Sequence, residues 1–113
     1  MIAHIVLFKP RAGLGAEERD ALISSFERAL REIPFISRAR VGRRVTHGRP
    51  YESLMRVDYQ YAAVLEFVDV AALKAYLEHP AHADLATQFF SAFEEALMYD
   101  FALTEDAAAL PPG

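Results

Sequence analysis

The sequence predicts an α+β fold, with helices lying on one face of a four-stranded antiparallel sheet. Three observations carry that prediction. Runs of strand-forming residues open the chain, recur in its middle and return near its end (Ile2–Phe8, Val57–Val68, Leu97–Leu103). Between them lie segments whose apolar residues recur at helical spacing. Prolines and glycines fall at the joints between the two kinds of segment.

Ile2 to Phe8 reads as the first strand, stopped by Lys9-Pro10. His4, Val6 and Phe8 share one face of it; Ala3, Ile5 and Leu7 share the other. A loop with turn residues, Pro10 to Gly15, leads to a helix from Ala16 to Glu32. Glu17, Glu18 and Asp20 suit the positive end of its dipole, and Leu22, Phe26, Ala29, Leu30 and Ile33 form one apolar stripe. Arg38 to Thr46 reads as a second, arginine-rich strand. Residues 47–56 read as a loop with a helical turn at Tyr51–Met55. Val57 to Val68 is the third strand.

Asp69 then caps a helix from Val70 to His79. Pro80 ends that helix and suits the first turn of the next. Leu85, Phe89, Ala92, Phe93 and Ala96 place a helical stripe after it, and Leu97 to Leu103 is the fourth strand. The order β-α-β-β-α-α-β is the ferredoxin-like arrangement with its second helix broken in two. Residues 1–103 form the domain; the Ala-rich Thr104–Gly113 is a tail, frayed or laid over a neighbour.

The 113 residues suffice for one domain with its own core. A net charge of −4 gives no electrostatic support for nucleic-acid binding. The absence of cysteine removes disulfide and thiolate chemistry and fits a reducing compartment. No apolar run approaches the ~20 residues that span a bilayer. No basic region precedes the first apolar run, so a signal peptide is not expected. These features together predict a cytoplasmic protein.

A sheet with helices on one side alternates apolar and polar residues. The first and third strands do not: both parities are apolar in Ile2–Phe8 and in Ala62–Val68. The helices cover one face, so a second copy, packed sheet to sheet, is predicted to cover the other.

Candidate chemistry gathers at the corner Tyr76-Leu77-Glu78-His79-Pro80-Ala81-His82, which holds two of the four histidines. Helical spacing alone pairs Tyr76 with His79, at i and i+3. Tyr76 and His82 are six apart and diverge on a straight helix; only the break at Pro80 lets them meet. An imidazole with an ordinary pKa of about 6.5 takes and returns a proton near neutrality. His82 is therefore a candidate base, or a histidine that packs the corner. His4 is either a core histidine or a pocket group, and Phe89 either core or the wall of an apolar pocket. Arg38, Arg40, Arg43, Arg44 and Arg49 form a basic patch: a solvated strand edge, or a clamp for a carboxylate or phosphate. No metal-ligand motif and no glycine-rich phosphate loop is present, so neither metal nor organic cofactor is expected.

Three stretches resemble the stress-responsive α/β-barrel domain (Dabb) family. They are the opening Met1-Ile2-Ala3-His4-Ile5-Val6-Leu7-Phe8-Lys9, the run Ala72-Leu73-Lys74-Ala75-Tyr76-Leu77-Glu78-His79-Pro80-Ala81-His82, and Asp100-Phe101. The resemblance covers nearly all of residues 1–103; residues 43–56 are not distinctive. It implies a homodimer whose sheets face each other in a closed α+β barrel, helices outside. It also implies a pocket in each subunit between sheet and helices. One relative, a plant polyketide cyclase of the olivetolic acid type, closes a ring by aldol condensation without metal or cofactor. By that resemblance Tyr76 and His82 are catalytic, and His4 lines the pocket. His79 and Phe89 complete the expected ligand-binding set, for a small apolar or aromatic ligand. The alternative is a stress-associated, non-catalytic interaction domain.

Overall fold

In a computed structural model, which describes residues 1–110, the chain runs β1 (Ile2–Pro10), α1 (Ala16–Glu32), β2 (Arg38–Arg43), β3 (Tyr61–Phe67), α2 (Val70–Glu78), α3 (Pro80–Ala92) and β4 (Phe93–Ala102). The strands form one antiparallel sheet in the order β2-β3-β1-β4. This is the ferredoxin-like arrangement that the sequence predicts. Short 3-10 turns at Pro50–Leu54 and Ala107–Ala109 complete the described elements.

Strand register sorts the side chains. His4 lies opposite Leu65 on one side and Asp100 on the other, and Ile2 opposite Phe67. These residues share the face on which the helices pack. The core there joins Ala29 of α1 and Ile33 just after it, Leu65 and Phe67 of β3, Leu73 and Tyr76 of α2, and Ala81 of α3. Alternation puts Ile5, Leu7, Val64, Leu97, Tyr99 and Phe101 on the opposite face, where no helix covers them. Tyr99 and Phe101 are 58% and 50% exposed.

Asp69 caps α2 as expected, accepting a hydrogen bond from the Ala72 N–H at 2.8 Å. Three boundaries differ from the sequence reading by three residues or more. β2 stops at Arg43 rather than Thr46, and β3 starts at Tyr61 rather than Val57, because the ladder between them closes at the Arg43–Tyr61 pair. The third is β4, which begins at Phe93 and not at Leu97. Phe89, Phe93 and Ala96 fit a helical period, yet Phe93 and Ala96 pair with Pro10 and Phe8 of β1. Phe93 still reaches Phe89, ring centroids 4.8 Å apart, from the strand. The inward contact that the helical stripe implied is thus made by an extended backbone, because β1 offers open hydrogen-bonding groups there. In the tail, Asp106 caps the Ala107–Ala109 turn; the Pro-Pro-Gly end lies outside the described residues.

Candidate functional site

Pro80 makes the corner. α2 ends at Glu78, His79 is extended (φ −69°, ψ 140°), and α3 starts at Pro80. The His79 side chain caps α3: its Nδ1 accepts a hydrogen bond from the Ala81 N–H at 3.0 Å. That commitment takes His79 out of the Tyr76 pairing that straight-helix spacing suggests. The bend instead sets the His82 ring edge-on to Tyr76, centroids 4.8 Å apart at 66°. Phe67 of β3 packs against Tyr76 at 5.2 Å, and the His4 ring lies 6.1 Å away. Tyr76, His82 and His4 thus form one cluster between the corner and the sheet. Phe89 belongs to a separate aromatic group, with Phe8 at 5.3 Å and Phe93 at 4.8 Å.

His4 carries a partner that the sequence reading missed. Its Nδ1 lies 2.6 Å from Asp100 Oδ1. His4 is 8% exposed, whereas the Asp100 side chain is about half exposed, so the carboxylate bridges the site to solvent. The signal was present in the sequence: aligning Ile2–Phe8 antiparallel to the last strand, at the right register, sets position 4 against 100. An imidazole with Nδ1–H held by a carboxylate has a fixed ring orientation and presents Nε2 to its surroundings.

Burial pushes the Tyr76 phenol up to about 12. Tyr76 therefore stays protonated and can only donate or accept a hydrogen bond as a neutral hydroxyl near neutral pH. Burial, then the nearby His4, lower the His82 pKa, while a hydrogen bond to the Leu77 backbone acts the other way. His82 is thus held neutral and ready to accept a proton. No side-chain nitrogen or oxygen among the described residues is both sealed from solvent and without a hydrogen-bond partner. No hydrogen bond from the Tyr76 hydroxyl to a protein group is found among those residues, and the residue is only 3% exposed.

The fourth histidine and the arginine patch lie elsewhere. His47 bonds the Tyr51 hydroxyl at 2.6 Å in the β2–β3 connection, far along the chain from the cluster. The arginine patch is divided: Arg40 approaches Glu66 at 3.8 Å, Arg44 pairs with Asp58 at 2.7 Å, and Arg43 lies over the Tyr61 ring. No group of three or more histidine or carboxylate side chains converges as a metal-ligand set among the described residues. No helix among the described residues is long and apolar enough to cross a membrane.

This combination of ferredoxin-like sheet, broken second helix and histidine corner is that of the α/β-barrel class of small proteins. The chain belongs to the Stress Responsive A/B Barrel Domain family (Dabb), whose match spans residues 2–103. Among solved structures it is similar to an Arabidopsis thaliana protein, with a TM-score of 0.76 and 21% identity over 95% of this chain and 99% of that one. A hydroxynitrile lyase from Passiflora edulis gives a TM-score of 0.76 at 20% identity, over 93% and 94%. A dimeric ferredoxin-like protein of unknown function from Thermobifida fusca gives 0.70 at 20% identity, over 90% of each chain. At these identities the likeness is one of fold. No curated protein matches the sequence significantly.

Proposed function

We propose that the protein is a homodimeric small-molecule-binding Dabb protein whose helix-side cluster performs cofactor-free acid/base chemistry. The observation that carries this reading is the Tyr76–His82 ring contact beside the buried His4–Asp100 pair. It supplies a neutral base, a hydroxyl donor with no protein partner, and a third polar group in one place. In an intramolecular aldol closure, His82 takes a proton from the carbon between two carbonyls. The enolate carbon attacks a distant carbonyl, and the new alkoxide recovers the proton from the imidazolium. The Tyr76 hydroxyl hydrogen-bonds the oxygen on which negative charge develops. His4, oriented by Asp100, fixes the polar end of the substrate. The Passiflora edulis relative supports the class of chemistry rather than the substrate, since cleaving a hydroxynitrile also needs one base and one oxygen partner.

The homodimer is supported by the dimeric structures among its relatives and by the apolar face that no helix covers. The alternative, a non-catalytic stress-associated interaction domain, is favoured by one observation: Tyr76 is part of the hydrophobic core. A single experiment separates the two. The purified protein is incubated with a linear poly-β-keto chain, and separately with an aromatic hydroxynitrile, and products are followed by chromatography. Turnover of either that His82→Ala abolishes, with the fold intact by circular dichroism, is the expected result. Absence of turnover with both leaves the interaction domain as the better description, and full activity in His82→Ala would take the base role away from His82.

A further inference from the structure

The two edge strands of the sheet carry opposite charge. β2 has Arg38, Arg40 and Arg43 and no acidic residue; β4, on the far edge, has Glu94, Glu95 and Asp100 and no basic one. Arg44 continues the basic run, its N–H bonded to the Gln60 carbonyl at 2.8 Å. β3 and β1 lie between the edges, so the two sets cannot neutralise each other within one protomer. Each finds only local partners, as Arg40 does in Glu66 at 3.8 Å and Glu94 in Lys9 at 2.7 Å.

On the face that no helix covers, the ladder sorts both edges into rows. Arg38 shares a row with Phe101, Arg40 with Tyr99, and Gly42 with Leu97. One step further, beyond the β2–β3 ladder, Arg44 stands level with Glu95. Aligned sheets that pack face to face keep their strand directions within about 30°. A twofold axis between two such sheets runs either across the strands or along them. An axis across the strands lays β2 on the partner's β2 in reverse, with Arg38 against the partner's Arg44. An axis along the strands lays β2 on the partner's β4 and keeps the rows. Arg38 and Arg40 then meet the rings of the partner's Phe101 and the partner's Tyr99, which favour a cation over their faces. Arg44 comes beside the partner's Glu95, and Gly42 has no side chain where the partner's Leu97 arrives. The apolar middle of the face, Ile5 and Val64, accepts either axis; the edges do not, because like charges set against each other cost affinity.

We propose that the second copy docks with its β4 over the arginine edge of β2, and that the charge difference between the two edges selects this arrangement. The inference rests on the homodimer proposed above and gives the arginine patch a role in assembly. By symmetry the contact forms twice in each dimer.

The chain has no cysteine, so one introduced cysteine reports on one position. Gly42→Cys and Leu97→Cys leave every charge in place. A bismaleimide about 10 Å long, the spacing of packed sheets, is added to each variant alone and to their mixture after the dimers have exchanged. Crosslinked dimer is expected in the mixture and not from either variant alone. Sedimentation gives a second readout. Arg38→Glu combined with Arg40→Glu should weaken the dimer at least about tenfold at low salt, and the wild-type dimer should weaken as salt rises. Gly42→Cys crosslinked to itself, or no product in the mixture, overturns the arrangement and leaves the dimer standing. Undiminished dimer affinity in the double arginine variant overturns the role of charge. A wild type that stays monomeric removes the dimer, and this arrangement with it.

Discussion

On the helix side of the sheet, Leu65 and Phe67 are 1% and 0% exposed; on the other side, Tyr99 and Phe101 are 58% and 50% exposed. The same strands build both faces, and both are largely apolar. The helix side is finished within the protomer, by α2, α3 and the packing of α1. It can therefore hold ionisable groups away from bulk water, where burial shifts their pKa values. The other side is a set of unsatisfied apolar surfaces whose meaning depends on a second molecule. On the proposed reading, chemistry belongs to the closed face and assembly to the open one, because only the closed face controls its own solvent.

Substitutions that act on one face and spare the other sharpen this contrast. The largest effect on folding belongs to Phe67→Ala, which should cost about 3–5 kcal/mol of protomer stability in denaturant melts. Phe101→Ala, on the open face, should change protomer stability by under about 0.5 kcal/mol and act on association instead. Equal losses in both would erase the distinction between the faces.

Next in size is Tyr76→Phe. With substrate in hand it should slow turnover by roughly 10²–10³, the usual consequence of removing one oxyanion donor. Because no protein group among the described residues bonds that hydroxyl, the melting temperature should stay near that of the wild type. A large drop in melting temperature would show instead that the hydroxyl serves the fold.

Ile5→Glu and Val64→Glu come third. The two positions are cross-strand partners on the open face. Sedimentation of either variant should show monomers or aggregates where the wild type shows dimers, since a carboxylate in the centre of an apolar interface has no partner there. A dimer of undiminished affinity in both would move the interface to another surface.

The smallest effect is on pH dependence. His82 has a folded pKa below its ordinary 6.5. Just below that value the unfolded chain binds a proton that the folded protein refuses. This part of the stability is therefore complete above about pH 6.5 and is lost as the pH falls through it toward the folded pKa. Tyr76 acts at the other limit: with its pKa raised from 10.0 to about 12, stability declines as the pH rises past 10. Thermal melts from pH 8 to 5 should show the acid-side decline, and His82→Gln should flatten it. An unchanged slope in that variant would assign the decline to other groups.

Much of this was legible in the sequence. The apolar runs, the two helical stripes and Pro80 suffice for the order of elements, and the cap at Asp69 follows from local residue chemistry. The doubled apolar parity of Ile2–Phe8 already implies two covered faces. The start of β4 was not legible, because Phe89, Phe93 and Ala96 satisfy a helical period while β1 supplies the hydrogen bonds that make Phe93 a strand residue. The Tyr76–His82 contact was legible only through the resemblance to a family, since sequence spacing favours His79.

The sequence by itself determined the order of strands and helices, where the second helix breaks, and that the sheet is apolar on both sides. These properties depend on neighbours within a few residues: side-chain periodicity, proline geometry and capping. Only the tertiary structure decided that His79 caps α3, that His82 meets Tyr76, and that Asp100 holds His4 at 2.6 Å. Each of those pairings depends on a bend angle or a strand register. His4 and Asp100 stand 96 positions apart, and a shift of one residue in the β1–β4 ladder would turn one of them to the opposite face.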